Sequence, residues 1–164
     1  AERARLFTMI SSVTTERAVV DATAFFDHLA ARPEVSGTSF GTTGYCMGGR
    51  IPLVVAGSVP ERVAAAMSFH GGGLVADDPG SPHLLADRIR AAVYVGAAQD
   101  DRSFTAEDGA TLDKALTAAG VEHTIEFYPA FHGFAVPDNA PYDEAAARRH
   151  WEAATAFLAA HLPR

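Results

Sequence analysis

The sequence predicts an α/β fold, in which a mainly parallel β-sheet carries helices on both of its faces. Segments with the residue pattern of strands alternate with helical segments, the order that parallel sheets require. Two of the strand segments are continuous apolar runs, typical of strands buried on both faces. The chain has 164 residues, 48% of them hydrophobic and 20% charged, which suits a single domain spanning residues 1–164.

The first part of the chain is predicted to be helical. A short helix covers residues 2–11, and a second follows Thr14, whose side chain suits an N-cap, with Glu16 in the first turn. Pro33 is expected to end this second helix, because proline cannot continue one. Its apolar residues recur at helical spacing on one face, at Val19, Ala22, Phe26 and Leu29.

Four strands are predicted in the remainder. The apolar runs RVAAAMSF and AAVYVGA predict buried strands at 62–69 and 91–97, and two further strands are expected at 38–45 and 122–128. A Rossmann-like or flavodoxin-like domain is the alternative for this pattern. No G-x-G-x-x-G stands at a strand-to-helix turn, so a dinucleotide site has little support.

Three helices are predicted among these strands. One covers residues 47–57 directly after the first strand, and another opens at Thr105 and closes at Gly120, a good residue for a helix end. Pro141 is placed in the first turn of the last helix, where its missing N–H costs nothing. The apolar face of that helix consists of Ala147, Trp151, Ala154 and Leu158.

Charge and cysteine content narrow the classes of function. The formal net charge of −7 argues against a nucleic-acid partner and against a polybasic membrane surface. The chain has one cysteine, which excludes an internal disulfide and a multi-cysteine metal site. No apolar run approaches the length of a membrane span, and no signal-peptide layout precedes the first helix. A cytoplasmic location is therefore expected.

The segment GTTGYCMGGR at residues 41–50 carries the clearest chemical signal. It runs from a strand into a helix through Gly44-Tyr45-Cys46-Met47-Gly48, the nucleophile-elbow pattern G-x-S-x-G with cysteine in place of serine. Residues two before and two after the nucleophile crowd each other on this sharp turn, and glycine relieves the crowding. We therefore predict that Cys46 is a nucleophile and that the Met47 N–H belongs to an oxyanion hole.

A thiol nucleophile needs a histidine and an acid, which follow it in this chain order in elbow proteins. Asp100 and Asp101 stand at the end of a predicted strand. Asp101 is preferred because its Asp-x-x-Phe spacing to Phe104 resembles the turn on which the acid lies in families with this elbow, and Asp100 is the alternative. His132 lies on a loop between the last strand and the last helix, which is where the histidine is expected.

Other residues are expected to line the pocket. His70 begins an His-Gly-Gly-Gly segment that looks like the oxyanion motif of lipases but follows the nucleophile instead of preceding it. It is therefore interpreted as a strand end facing the pocket, with Tyr45 and Phe134 as further substrate contacts. The remaining histidines lack any metal-ligand spacing, so no metal is predicted.

Cys46 within GYCMGG, Asp101 within QDDRSF and His132 within YPAFHGF together resemble the dienelactone hydrolase (carboxymethylenebutenolidase) family. The resemblance covers nearly the whole chain and implies an α/β-hydrolase-type fold. It further implies hydrolysis of a small-molecule ester or lactone through a thiol-acyl enzyme, without a cofactor. In this family Cys46, Asp101 and His132 would act as nucleophile, acid and base.

Two departures from the family refine these expectations. Val136 occupies the position where the family has an arginine for the substrate carboxylate, and Arg3 or Arg5 could supply the second one, so a less polar ester or lactone is expected. Family members also have several strands ahead of the one that leads into the elbow, where this chain shows two predicted helices and no convincing strand. We therefore expect residues 1–164 to form the C-terminal two-thirds of the domain and to require an N-terminal segment as partner.

Two other functions fit part of the pattern. Glutamine amidotransferases also place cysteine on such an elbow, but they have a glutamate two residues after the histidine, where Phe134 stands here. A non-catalytic thiol, acting as a redox sensor or in ligand binding on a hydrolase scaffold, is the alternative from a different class.

Overall fold

The computed structural model describes residues 2–162, apart from the side chains of Arg3, Phe7 and Ser11. No helix in this range is long and apolar enough to span a lipid bilayer. The helices are α1 (Glu2–Ser11), α2 (Thr15–Ala30), α3 (Arg50–Ser58), α4 (Ala106–Ala118) and α5 (Glu144–His161). The strands are β1 (Phe40–Tyr45), β2 (Val63–Phe69), β3 (Ala92–Ala98) and β4 (His123–Tyr128).

The four strands form one parallel sheet in the order β1-β2-β3-β4. Tyr45 pairs with Phe69, which pairs with Gly96, so the carboxyl ends of the first three strands lie level. Helices α2, α3 and α4 contribute to a core on one face of the sheet, and α5 packs on the other. The predicted α/β fold with helices on both faces is confirmed.

Strand β3 illustrates why the apolar runs lack a polar face. The side chains of Val93 and Val95 are buried in the core beneath α2, α3 and α4. Tyr94, between them in sequence, is buried on the α5 side, where its hydroxyl lies 2.8 Å from the hydroxyl of Tyr128. Successive side chains point to opposite faces of a strand, and both faces of β3 are covered by helices.

The helix ends predicted from single residues are largely confirmed. The side chain of Thr14 accepts a hydrogen bond from the Arg17 N–H at the start of α2. Thr105 and Asp108 form a reciprocal capping box at the start of α4. Gly120 follows α4 with a φ of 70°, a left-handed conformation that glycine adopts without strain.

The start of the last helix differs from the prediction. Helix α5 begins at Glu144, because the Asp143 side chain accepts a hydrogen bond from the Ala146 N–H and caps it there. Pro141 therefore lies in the turn ahead of the helix, outside its first turn. A short 3-10 helix at Pro82–Arg88 was not predicted either.

Strand β1 forms one edge of the sheet, since within residues 2–162 it pairs with β2 alone. An edge strand offers backbone N–H and C=O groups that a further strand could pair with. The expected contact with an N-terminal segment remains a prediction.

Candidate active site

Three strands end in residues with left-handed backbone conformations. Cys46 after β1 has a φ of 55°, His70 after β2 a φ of 38°, and Asp100 after β3 a φ of 58°. Such values are uncommon for residues other than glycine and concentrate at functional sites. The carboxyl ends of parallel strands are where α/β folds bind ligands. The chain therefore bends sharply at three neighbouring points of the edge where a ligand site is expected.

The turn at Cys46 depends on glycines, although not on both of those predicted. A Cβ at Gly44 would lie 2.0 Å from the carbonyl oxygen of Gly48, so the backbone leaves no room for a side chain there. A Cβ at Gly48 itself would meet nothing within 4 Å, so the expectation that both positions are crowded was wrong for Gly48. Gly49 is the second crowded position, because its Cβ would lie 2.6 Å from the Cα of Gly71.

The helix that follows Cys46 begins differently from the prediction. Residues Cys46–Gly49 form a 3-10 helix, and α3 starts only at Arg50. The left-handed backbone of Cys46 separates it from the regular α-helix. Met47 is the second residue of this short helix, and the first N–H groups of a helix have no acceptor within it.

Cys46, His132 and Asp101 lie in one continuous line of contacts. The Nε2 atom of His132 is 3.1 Å from the Sγ atom of Cys46, and its Nδ1 atom is 2.6 Å from Oδ2 of Asp101. The Asp101 side chain is 5% exposed, whereas the Cys46 residue is exposed to solvent. A thiol that faces solvent and contacts an imidazole backed by a buried carboxylate can act as a nucleophile with its own general base.

The structure brings Asp101, and not Asp100, to the histidine. Burial raises the pKa of the Asp101 carboxyl, but hydrogen bonds from Ser103 and His132 outweigh it, so the pKa lies below its ordinary value. An ionised carboxylate only accepts hydrogen bonds, so Nδ1 of His132 carries a proton, and in the neutral imidazole Nε2 then presents its lone pair to the thiol. Asp100 is exposed on the left-handed turn beside it.

Ser103 is a residue of this site that the sequence analysis missed. Its backbone N–H and its hydroxyl both donate to Oδ1 of Asp101, at 2.8 and 2.6 Å. These two bonds fix the rotation of the carboxylate and leave Oδ2 for His132. Aspartate side chains often accept a hydrogen bond from the backbone N–H two residues later, so a turn from Asp101 to Ser103 could have been expected.

The three predicted substrate contacts differ in their exposure to solvent. His70 and Phe134 are 1% and 0% exposed, and the ring of His70 lies edge-on to those of His132 and Phe134 at 5.2 and 5.1 Å. His70 therefore packs against the imidazole of His132, and Phe134 packs against His70. The hydroxyl of Tyr45 lies 2.8 Å from Nε2 of His150, a buried residue of α5 that the sequence analysis did not connect to the site. Substrate contact by any of the three remains a prediction.

The burial of His70 predicts a pH dependence of stability. Burial, reinforced by the nearby His132, lowers the pKa of His70 to about 4, and neither ring nitrogen has a hydrogen-bond partner among the described residues. His70 therefore binds a proton near pH 6.5 in the unfolded chain but only near pH 4 in the folded chain. The free energy of unfolding falls as pH is lowered through this window. We expect His70→Gln to lose less unfolding free energy than the wild type between about pH 7 and pH 4.5 in urea titrations. Equal losses in both proteins would contradict the assignment.

In the part of the chain that the structure describes, no group of three or more histidine, cysteine, aspartate or glutamate side chains could hold a metal ion.

The family model for the dienelactone hydrolase family matches residues 1–162 of this chain.

Relatives of known sequence and structure agree with this match. A curated protein of Salmonella typhi, named as a carboxymethylenebutenolidase, is 32% identical over 114 residues, which are 67% of this chain and 42% of that protein. A protein of the same name from Salmonella typhimurium shows the same identity and coverage. The alignment thus spans about two fifths of the curated relatives' length.

Two solved structures resemble this chain over nearly its full length. A structure named as a dienelactone hydrolase from Klebsiella pneumoniae superposes with a TM-score of 0.82 and 28% identity, covering 92% of this chain and 63% of that one. A dienelactone hydrolase-like promiscuous phosphotriesterase from metagenomic libraries gives a TM-score of 0.76 and 26% identity, covering 90% and 63%. The chain therefore belongs to the dienelactone hydrolase family.

Proposed function

We propose that this chain carries the reacting groups of a cofactor-independent hydrolase of small esters or lactones. Cys46 is the nucleophile, His132 the general base and acid, and Asp101 the group that orients the imidazole. The observation that carries this proposal is the unbroken line of contacts from the thiol through the imidazole to the buried carboxylate. The name carboxymethylenebutenolidase, borne by the two curated relatives, supports a lactone or ester substrate.

The reaction would proceed in two halves. In the first, Nε2 of His132 accepts the thiol proton while Sγ of Cys46 bonds to the carbonyl carbon, which produces a tetrahedral oxyanion. Collapse of this species breaks the carbon–oxygen bond, and His132 returns the proton to the departing alcohol oxygen. In the second half, His132 accepts a proton from water, whose oxygen attacks the thioester, and then protonates Sγ as the acid leaves.

The oxyanion needs a hydrogen-bond donor on the side of the elbow. The Met47 N–H meets this requirement, because it follows the nucleophile at the start of a 3-10 helix, where N–H groups lack acceptors within the helix. Asp101 contributes by stabilising the imidazolium that forms transiently between Sγ and the leaving oxygen.

The decisive experiment is a pre-steady-state assay of the intact protein with p-nitrophenyl acetate. We expect a burst of p-nitrophenolate equal to the enzyme concentration, and an acetyl adduct that peptide mass spectrometry locates on Cys46. Cys46→Ala is expected to lack both the burst and the adduct while retaining the fold, since the residue is exposed. An adduct on another residue would contradict the assignment of the nucleophile. Reversible oxidation of Cys46 by peroxide without any acylation would favour the thiol-sensor alternative instead.

A further inference from the structure

A cavity of about 510 Å³ opens beside Met47, the residue that follows the proposed nucleophile. Its volume falls within the range of small-molecule sites. Val13, Ile51 and Val54 provide apolar wall, and Met47 brings the cavity next to the elbow. The space lies between the turn preceding α2, the first turns of α3 and the loop around Asp78.

An ion pair occupies the polar side of this cavity. Nη2 of Arg50 lies 2.5 Å from Oδ2 of Asp78 and donates to the carbonyl oxygen of Gly80 at 3.0 Å. Arg50 stands four residues after Cys46 and is the first residue of α3. The guanidinium that could attract an anionic substrate is therefore already engaged by a carboxylate of the same chain.

The charged groups of the cavity wall sum to a negative value. Arg50 is the cation, while Asp78 and Glu16 are carboxylates. A hydrogen bond from Arg50 lowers the pKa of Asp78, and a bond from its own backbone N–H at the start of α2 lowers that of Glu16. Both are thus ionised at neutral pH, and a bound carboxylate would be repelled by them unless it displaced Asp78 from Arg50.

We propose that this cavity holds the non-reacting part of the substrate and that the Arg50–Asp78 pair makes it select uncharged apolar esters over carboxylate-bearing ones. The proposal rests on the hydrolase function proposed above and names its substrate class.

A matched pair of substrates tests the selectivity of the intact protein. p-Nitrophenyl butyrate and p-nitrophenyl hemisuccinate have acyl chains of equal length, and only the second ends in a carboxylate. We expect the wild type to hydrolyse the butyrate with a kcat/KM at least about tenfold higher. Asp78→Asn frees the guanidinium and is expected to shift this ratio about tenfold toward the hemisuccinate.

The neighbouring Asp77 provides the control. Asp77→Asn removes the same charge from an exposed side chain that does not line the cavity, and it is expected to leave the substrate ratio unchanged. An equal shift of the substrate ratio in the two variants would mean that the effect comes from net charge alone, and would overturn the proposal. Because the acetate burst is measured separately, a protein that acylates on Cys46 but shows no shift with Asp78→Asn contradicts the cavity assignment alone.

A second variant tests occupancy without disturbing the ion pair. Val13→Trp fills part of the cavity and is expected to lower kcat/KM for the butyrate relative to the acetate at least about fivefold. Val20→Trp, on an exposed position of α2 outside the cavity, is expected to leave that ratio unchanged. An unaltered ratio in Val13→Trp would mean that the substrate lies elsewhere.

Discussion

Asp101→Asn is expected to lower kcat/KM for ester hydrolysis by about 10²–10⁴-fold. The amide nitrogen of asparagine donates where the carboxylate oxygen accepted, so Nδ1 of His132 becomes the acceptor and Nε2 carries the proton. The lone pair that faces Sγ of Cys46 at 3.1 Å is then lost. Ser103 can still donate to the side-chain oxygen, so we expect the fold to persist, which thermal denaturation would verify.

Asp100→Asn is the matched control for this prediction. The same substitution one residue earlier falls on an exposed side chain whose left-handed backbone, with a φ of 58°, asparagine also tolerates. We expect its kcat/KM to remain within about twofold of the wild type, since solvent screens an exposed charge that makes no contact with His132. If Asp100→Asn lost more activity than Asp101→Asn, the assignment of the acid would be wrong.

Gly44→Ala is expected to destabilise the protein by about 2–4 kcal/mol and to abolish the acylation burst. The new Cβ would lie 2.0 Å from the Gly48 oxygen and 2.6 Å from its carbonyl carbon. Both are backbone atoms of the elbow, so relief requires the turn itself to move and Cys46 to move with it. Urea unfolding followed by circular dichroism measures the loss in unfolding free energy.

Gly48→Ala separates crowding from the general effect of replacing a glycine. Its Cβ would meet nothing within 4 Å, and Gly48 lies in a helix where alanine is at least as favourable. We expect its unfolding free energy to stay within about 0.5 kcal/mol of the wild type. Comparable destabilisation by both substitutions would contradict the packing explanation.

Features that depend on short stretches of sequence could be predicted. The spacing around Cys46 indicated the elbow, the apolar run at 91–97 indicated a strand buried on both faces, and Thr105 marked the start of a helix. Each follows from local backbone geometry or from the period of the side chains. The places of Asp101 and His132 after the cysteine followed from the chain order of elbow proteins, and their contact required the fold.

Features that join distant parts of the chain could not be predicted. The bond between Tyr45 and His150 spans 105 residues, and that between Arg50 and Asp78 spans 28. Neither pair has a spacing that distinguishes it from other residues of the same type, because it depends on how α5 and the loop at 78 pack. The start of α5 was misjudged for a simpler reason, since Asp143 is a better cap than the turn around Pro141.

At the left-handed ends of β1, β2 and β3, the backbone pairing that positions the site is distinct from the side chains that react in it. The heights of Cys46, His70 and Asp100 follow from the pairing of Tyr45 with Phe69 and of Phe69 with Gly96, which is a matter of backbone hydrogen bonds. The backbone positions at these strand ends therefore do not depend on which side chains they carry. Related proteins could therefore replace the nucleophile or a pocket residue without a change in the fold. The reaction can then change faster in evolution than the architecture.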